Sequence, residues 1–243
     1  MSRASHKFIE GELLFEFDEK QWGPLVPWDK HPAYRRGIQA AGRAKGVDFV
    51  GVYRGAVIFF IEVKNHQRFK RKKTVSPWVE FEHKVRDTIA GLVGSSRHDQ
   101  YGDVCAPFVG ALLSRRELRL VYWVELPRLP KNFAATKNRR LALAGFASRK
   151  TGSAVKWLGA SSFIVSQEDE YKDRVPGLRV TNLPRKRREL SNSIVSRLQG
   201  RGIIIDGTAR HHISQHLDLE DLTAWLERAA TVSTVEEMFG GRR

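Results

Sequence analysis

The sequence predicts an α/β fold with a mainly helical C-terminal region, and three observations support this. Two runs rich in β-branched and aromatic residues, 47–52 and 56–64, are separated by three residues and predict a β-hairpin. Residues 78–93 carry apolar side chains at helical spacing, which predicts a packed helix. A last amphipathic helix is predicted to run from Asp218 to about Ala230.

The remaining elements follow in order along the chain. We expect a strand at 12–17, a loop at 23–27 marked by glycine and proline, and a helix from near Pro32 to about residue 44. Further predictions are strands at 104–113, 118–124 and 162–165, helices at 132–147 and 189–198, and a polar linker at 168–188. Run 104–113 lacks alternation, which favours a strand buried on both faces. Residues 1–166 are therefore the predicted core, and 167–243 are a basic, mainly helical region that is either an appendage or part of the same domain.

The charge of the chain indicates a polyanionic partner. Its 243 residues include 42 Lys and Arg against 27 Asp and Glu, a net charge of +15. Such a field favours nucleic acid as the partner. An anionic membrane surface is the alternative, but the sequence has neither a lipidation motif nor an arginine-faced amphipathic helix with a continuous apolar side.

The single cysteine and the absence of a secretory signal suggest a cytoplasmic protein. Cys105 excludes an intramolecular disulfide and lies in an apolar run, where a buried structural thiol is expected rather than a nucleophile. The first thirty residues lack an apolar signal core. The longest apolar run, 104–113, is far shorter than the roughly 20 residues that span a bilayer, so we expect a soluble protein without a membrane partner.

The motif with the clearest chemistry is Asp48, followed after thirteen residues by Glu62, Val63 and Lys64. Six apolar residues, 56–61, predict a buried strand that ends in two charged side chains. Since residues i and i+2 of a strand share a face, Glu62 and Lys64 point the same way. The plain alternative is that they cap an exposed strand end as a solvated pair.

Whether Asp48 joins them depends on the turn. A three-residue loop, Tyr53-Arg54-Gly55, would pair Asp48 with Phe60 and make Asp48 and Glu62 diagonal neighbours about 7–8 Å apart. A two-residue loop would place Glu62 on the other face. The first register predicts a Mg²⁺ or Mn²⁺ site formed by Asp48, Glu62 and the Val63 main-chain carbonyl, with Lys64 assisting an attacking water.

This pattern resembles the PD-(D/E)XK nuclease superfamily, which has the restriction-endonuclease-like fold. Its signature is an acid on one strand and Glu-x-Lys on the next, matched here by Asp48, Glu62 and Lys64 over roughly residues 30–125. The resemblance implies a central mixed β-sheet flanked by helices and Mg²⁺-dependent hydrolysis of DNA, less often of RNA.

The sequence departs from the superfamily pattern in three places. Val47 replaces the proline that gives the superfamily its name, which is a mild change. No acid lies between Pro32 and Val47, where the family's leading helix often supplies a glutamate, and the candidates left open are Asp29, Glu10, Glu12 and Glu16. The superfamily pattern also has a strand between that helix and the strand of Asp48, and none is visible in the sequence. Either strand 12–17 takes this place or the topology is modified.

Basic residues near the motif are candidates for contact with a phosphate backbone. They are Arg68, Lys70, Arg71, Lys72 and Lys73 in the following loop, and Lys84 and Arg86 on the next helix. A solvated loop and a polar helix face are the corresponding plain interpretations.

The sequence thus predicts a metal-dependent endonuclease that hydrolyses DNA, with Asp48, Glu62 and Lys64 as catalytic residues. One alternative is an inactive nucleic-acid-binding or scaffolding module of the same fold. Another is a nuclease subunit of a larger restriction or defence complex. Cutting both strands of a duplex would imply a homodimer.

Overall fold

The structure, a computed structural model, describes residues 4–42, 44–65, 77–125, 156–167 and 171–240. These residues form strands β1 (Ser5–Glu10), β2 (Leu13–Asp18), β3 (Trp22–Pro27), β4 (Phe49–Tyr53), β5 (Val57–Asn65), β6 (Glu117–Glu125), β7 (Ser161–Val165) and β8 (Leu178–Asn182). They also form helices α1 (Pro77–Ser96), α2 (Gly102–Leu113), α3 (Leu183–Gly200), α4 (Gly207–Gln215), α5 (Leu219–Arg228) and α6 (Val235–Phe239). The basic helix predicted at 132–147 lies outside the described residues.

The predicted α/β fold class is confirmed, with a mixed five-stranded sheet in the order β3-β4-β5-β6-β7. Strands β3, β4 and β5 are antiparallel, whereas β6 runs parallel to β5 and β7 runs parallel to β6. A second, antiparallel sheet has the order β1-β2-β8.

One face of the mixed sheet forms a hydrophobic core with α1 and α2. Val50 and Val52 of β4 and Ile58 and Phe60 of β5 belong to this core, together with Phe81 of α1. These strand positions are all even-numbered, because alternate residues of a strand point to the same side. Asp48, Glu62 and Lys64 have the same parity, so they continue the face that the helices cover.

The register of the β4–β5 hairpin differs from the predicted one by two residues. Tyr53 pairs with Val57, so the loop is 54–56 rather than 53–55. Arg54 and Gly55 have φ values of 47° and 63°, the left-handed pair that a tight hairpin turn needs. The sequence predicted one left-handed residue in this loop, Gly55, and the structure has a second one, Arg54. Since the shift is even, the side chains keep their predicted face.

The segment predicted as a loop at 23–27 is part of strand β3, which pairs with β4. Its glycine and prolines favoured a loop in the sequence. Proline is nevertheless tolerated in an edge strand, where no neighbour needs its missing N–H group, and β3 lies at the edge of the sheet. Strand β3 therefore takes the place beside the Asp48 strand that had been considered for residues 12–17, which form most of β2.

The predicted strand at 104–113 is wrong, because these residues belong to helix α2. Cys105, Phe108 and Ala111 are buried at helical spacing, while Val104 and Leu113 are exposed. An uninterrupted apolar run has no period that separates a buried strand from a buried helix.

The helix predicted from Pro32 to about residue 44 is much shorter, because only Ala33–Ile38 is helical and a kink at Gly37 interrupts this segment. Gly37 leaves the helical region, with φ −92° and ψ −110°. Gly37 and Gly42 each lower the helical propensity of the segment, by about 1 kcal/mol relative to alanine.

Other elements agree with the sequence. The helices predicted at 78–93, 189–198 and 218–230 correspond to α1, α3 and α5. The strands predicted at 118–124 and 162–165 correspond to β6 and β7. The exception is the polar linker predicted at 168–188, since it contains strand β8 and the first turns of α3.

Two features inferred from composition also have a structural counterpart. The Cys105 side chain is fully buried, and burial raises the pKa of its thiol, which fits the structural thiol predicted from the sequence. Among the helices that can be described, none combines the length and the apolar character needed to cross a bilayer.

The chain divides into two compact units. The first comprises Met1–Gly11 and Phe15–Val180 and holds the mixed sheet with α1 and α2. The second comprises Glu12–Leu14 and Thr181–Arg243 and contains helices α3 to α6. Its hydrophobic core includes Ile194, Leu198, Ile213 and Leu222, all fully buried.

Candidate active site

Asp48 and Glu62 lie opposite each other at the end of the β4–β5 hairpin. Phe49 pairs with Ile61, so the residue before β4 faces Glu62 directly rather than diagonally. Both side chains are buried, Asp48 with 6% exposure and Glu62 with 0%. The antiparallel register thus brings two carboxylates together on the face that α1 covers.

The chain holds Asp48 in place from three sides. The Val63 main-chain N–H donates to Asp48 Oδ2 at 2.5 Å, and the Trp28 N–H donates to the Asp48 main-chain oxygen at 2.8 Å. The preceding residue, Val47, donates its N–H to Thr88 Oγ1 of α1 at 3.0 Å. The first bond orients the carboxylate, and the other two hold the main chain on either side of it.

The electrostatic setting of Asp48 favours its neutral form. Burial raises the pKa of Asp48 to about 8, and the negative charge of Glu62 acts in the same direction. The Lys84 ammonium and the Val63 N–H oppose this shift without cancelling it. Asp48 is therefore an acid that gives up its proton readily only when a further positive charge is present.

Two lysines neutralise Glu62. Lys64 Nζ lies 2.5 Å from Glu62 Oε1, and Lys84 Nζ lies 2.7 Å from each carboxylate oxygen. The Lys84 ammonium is also 4.0 Å from Asp48 Oδ1. Burial lowers the pKa of Lys84, but Glu62 and Asp48 together outweigh burial and leave it raised. Lys84 is thus a charged group in the centre of the site.

The two lysines differ in their access to solvent. The Lys64 side chain is 29% exposed and the Lys84 side chain only 13%. Lys64 can reach a molecule that approaches from outside, whereas Lys84, on α1, is enclosed by the carboxylates. Lys84 was predicted as a backbone contact, and the structure places it against Glu62.

Two further acids adjoin Asp48. One carboxylate oxygen each from Glu10, Asp29 and Asp48 lie within 4.8 Å of one another. Glu10 ends β1, and Asp29 follows β3. Both were among the candidates for the missing acid. Of the other two, Glu16 lies near Lys7 and Arg179, at 3.9 and 3.7 Å, and Glu12 belongs to the other compact unit.

The residues of this acidic group suit a hard divalent cation. Asp29 Oδ1 is buried and has no hydrogen-bond partner, which leaves a carboxylate oxygen available for a ligand. Burial raises the pKa of Asp29, and the neighbouring Glu10 adds to the effect. Lys30 Nζ lies 2.6 Å from Glu10 Oε2 and competes for that carboxylate. All the offered donors are oxygens, which Mg²⁺ and Mn²⁺ prefer.

A polar cleft of about 510 Å³ opens beside the site. Asp29 and Lys84 belong to its lining, together with Tyr34, Arg35, Gln39, Lys45 and Gly46. Arg35 and Lys45 had not been singled out in the sequence. Basic residues are frequent throughout this chain, and nothing in their local pattern connects them with Asp48.

The other predicted backbone contacts are only partly described. Arg68, Lys70, Arg71, Lys72 and Lys73 lie outside the described residues. Arg86 Nε lies 3.7 Å from Asp87 Oδ1, and the Arg86 side chain is 61% exposed. Lys84, two positions before Arg86, contacts Glu62 in the site, whereas Arg86 contacts Asp87 on the exposed surface of α1.

Comparisons of the chain with protein-family models, with curated proteins and with solved structures returned no match. The function must therefore be inferred from the chemistry of Asp48, Glu62, Lys64 and the groups around them.

Proposed function

We propose that this chain is a Mg²⁺-dependent nuclease that hydrolyses phosphodiester bonds in DNA. The observation that carries the proposal is the arrangement of Asp48, Glu62 and Lys64 on one buried face, with Asp29 and Glu10 adjoining Asp48. Buried charges are costly, so a site that gathers several of them is a candidate for function. The net charge of +15 suits a polyanionic substrate.

The strand arrangement is consistent with a restriction-endonuclease-like core. The first acid lies at the start of one strand and Glu-x-Lys at the end of its antiparallel neighbour. Helix α1 follows, and the next strand, β6, runs parallel to β5. A mixed sheet with a helix on the side of the site is what the PD-(D/E)XK resemblance implies.

Asp48, Asp29 and Glu10 are the residues that would hold the metal. Glu62 was predicted as a ligand, but its carboxylate is already paired with Lys64 and Lys84. Glu62 would join the ligand set only where Lys84 gives up its ion pair. When bound, Mg²⁺ would supply an acidified water and stabilise charge on the phosphate. A role for the Val63 carbonyl stays a prediction.

The chain's own groups have separable tasks in this proposal. Lys64, the more exposed lysine, donates hydrogen bonds to a phosphoryl oxygen or to the attacking water. Glu62 orients Lys64 through their ion pair, and Lys84 balances the charge of Glu62. The Val63 N–H holds the Asp48 carboxylate in a fixed direction.

The test is cleavage of labelled single-stranded, duplex and branched DNA, and of RNA, with Mg²⁺ or Mn²⁺ and with EDTA. Lys64→Ala should lower the cleavage rate by about 10²–10³-fold, the effect of losing one donor to developing charge. The matched control is Arg86→Ala, which also removes one nearby cation but none that contacts Glu62 or Asp48. Intact substrates under all conditions would refute the proposal.

One observation favours a second candidate, a nucleic-acid-binding module without catalysis. Lys64 and Lys84 neutralise Glu62 without any metal, so these charges can be purely structural. Calorimetry separates the two candidates. A nuclease should bind Mg²⁺ in the wild type and lose this binding in Asp48→Asn, whereas a binding module should bind DNA and show no Asp48-dependent Mg²⁺ site.

A further inference from the structure

The polar cleft beside the site has the position of a substrate channel. Asp29 and Lys84, two groups of the site, are also part of the cleft lining, so the cleft is continuous with the site. Arg35 and Lys45 are two further cations in this lining. The cleft therefore offers space for a substrate chain beside Asp29 and Lys84.

Arg35 is anchored in a way that leaves most of its donors for a ligand. Its Nε donates to the Asp29 main-chain oxygen at 3.2 Å, which fixes the side chain next to the acidic group. In the part of the chain that the structure describes, no carboxylate lies within ion-pair distance of Arg35. A guanidinium that is held through Nε and keeps its two terminal nitrogens as hydrogen-bond donors is well suited to bind a phosphate.

Lys45 contributes a second cation to the same cleft. Its main-chain N–H donates to Asp87 Oδ2 at 2.9 Å, which holds the backbone in place. Its ammonium lies 3.6 Å from Glu80 Oε1, and the side chain is 50% exposed. A long ion pair to one carboxylate leaves ammonium protons available for a second anion.

Among the residues that the structure describes, the cleft lining offers no surface for stacking a base. Tyr34 is the one aromatic residue among these lining residues, and it is only 4% exposed. Its hydroxyl donates to the Ala44 main-chain oxygen at 3.0 Å and accepts from the Gly46 N–H at 2.9 Å. Recognition of unstacked bases relies on exposed aromatic faces, so the lining favours contact with phosphates.

We infer that Arg35 and Lys45 form a phosphate-binding subsite for a backbone phosphate next to the scissile one. The subsite reads charge and not base identity, so it serves substrates of any sequence. The inference rests on the proposed nuclease function for the meaning of the scissile position. Binding of the backbone by these two residues can be measured without cleavage.

The experiment measures binding of two fluorescent DNA duplexes of unrelated sequence by anisotropy in EDTA, over a range of NaCl concentrations. Arg35→Ala should weaken both duplexes equally, by about tenfold, and lower the salt-dependence slope by about 0.9. Lys45→Gln should act in the same direction.

The matched control is Arg36→Ala, which removes the same charge at the adjacent position. Arg36 is exposed but lines a different cavity, with Gly94 and His98. We expect the affinity of the Arg36→Ala variant for both duplexes to stay within twofold of the wild-type affinity. Equal losses for Arg35→Ala and Arg36→Ala, no loss for either, or a loss for only one duplex would each overturn the subsite.

The outcomes also separate the subsite from the proposed function. If the wild type cuts DNA but Arg35→Ala binds as tightly as the wild type, the nuclease proposal stands and the subsite is refuted. If no substrate is cut but Arg35→Ala selectively loses affinity, the subsite stands as a backbone-binding feature and the nuclease proposal is refuted.

Discussion

The two compact units place their acidic side chains in opposite ways. All four buried carboxylates among the described residues belong to the first unit: Asp48, Glu62, Glu80 and Glu125. The second unit has an apolar core, and two of its acids, Asp206 and Asp218, cap the N-termini of α4 and α5. Caps stabilise a helix, whereas buried carboxylates cost stability. The first unit therefore bears an electrostatic cost that the second unit avoids.

The largest expected effect concerns the charge balance of the first unit. Lys84→Ala should lower the free energy of unfolding by about 3–5 kcal/mol, because it leaves the buried Glu62 and Asp48 without their enclosed cation. Lys64→Ala should cost about 1 kcal/mol, because Lys64 is more exposed and Lys84 still pairs with Glu62. Urea-induced unfolding measures both. Equal losses would show that Lys84 has no special role in this balance.

A change in the core of the second unit should have a comparable size but a different dependence on pH. Leu222→Ala should cost about 2–5 kcal/mol, since it leaves a cavity among fully buried apolar residues. The loss should stay constant between pH 4 and about pH 8, because the deleted group carries no charge. Urea unfolding at several pH values tests this, and a loss that varies with pH would contradict the apolar character of this core.

The pH dependence of the first unit should come from Asp48. Its pKa is raised from 3.8 to about 8, so the folded state holds a proton that the unfolded chain releases. Stability of the metal-free protein should therefore fall as the pH rises through this window. Asp48→Asn should remove the larger part of the fall, leaving the contribution of Asp29, and stabilise the protein by about 1–3 kcal/mol at pH 8. Thermal unfolding in EDTA from pH 4 to 8 measures this, and parallel curves for both proteins would refute it.

The smallest expected effect concerns a helix cap of the second unit. Asp218 Oδ1 accepts hydrogen bonds from the Glu220 and Asp221 N–H groups, at 2.7 and 3.0 Å. Asp218→Ala should therefore lower the free energy of unfolding by about 1 kcal/mol. Asp218→Asn is the control, because it keeps the acceptor and should lose much less. Urea unfolding that shows equal losses for both variants would assign the effect to charge instead of capping.

The face of the hairpin that carries the site could be predicted from the sequence, but the pairing could not. Strand alternation puts Glu62 and Lys64 on one side, and any loop of three residues adds Asp48 to it. The pairing of Tyr53 with Val57 depends on Arg54 in a left-handed conformation. A left-handed conformation can be predicted from the residue type for glycine, asparagine or aspartate, but not for arginine.

The sequence-based predictions fail in segments whose local pattern and tertiary setting disagree. Residues 104–113 are apolar throughout, and only their packing shows that they form a helix. Strand β3 contains prolines that local rules assign to a loop, and its place at the sheet edge makes them acceptable.

The sequence by itself determined the local parts of the site: the buried strand that ends in Glu62 and Lys64, the helix that carries Lys84, and the basic charge of the chain. Only the tertiary structure decided which residues meet there, because Glu10, Asp29 and Lys84 approach Asp48 from separate elements. Backbone periodicity reaches a few residues along the chain. Contacts between distant segments depend on how sheets and helices pack, and this packing turns the scattered acids and cations into one site.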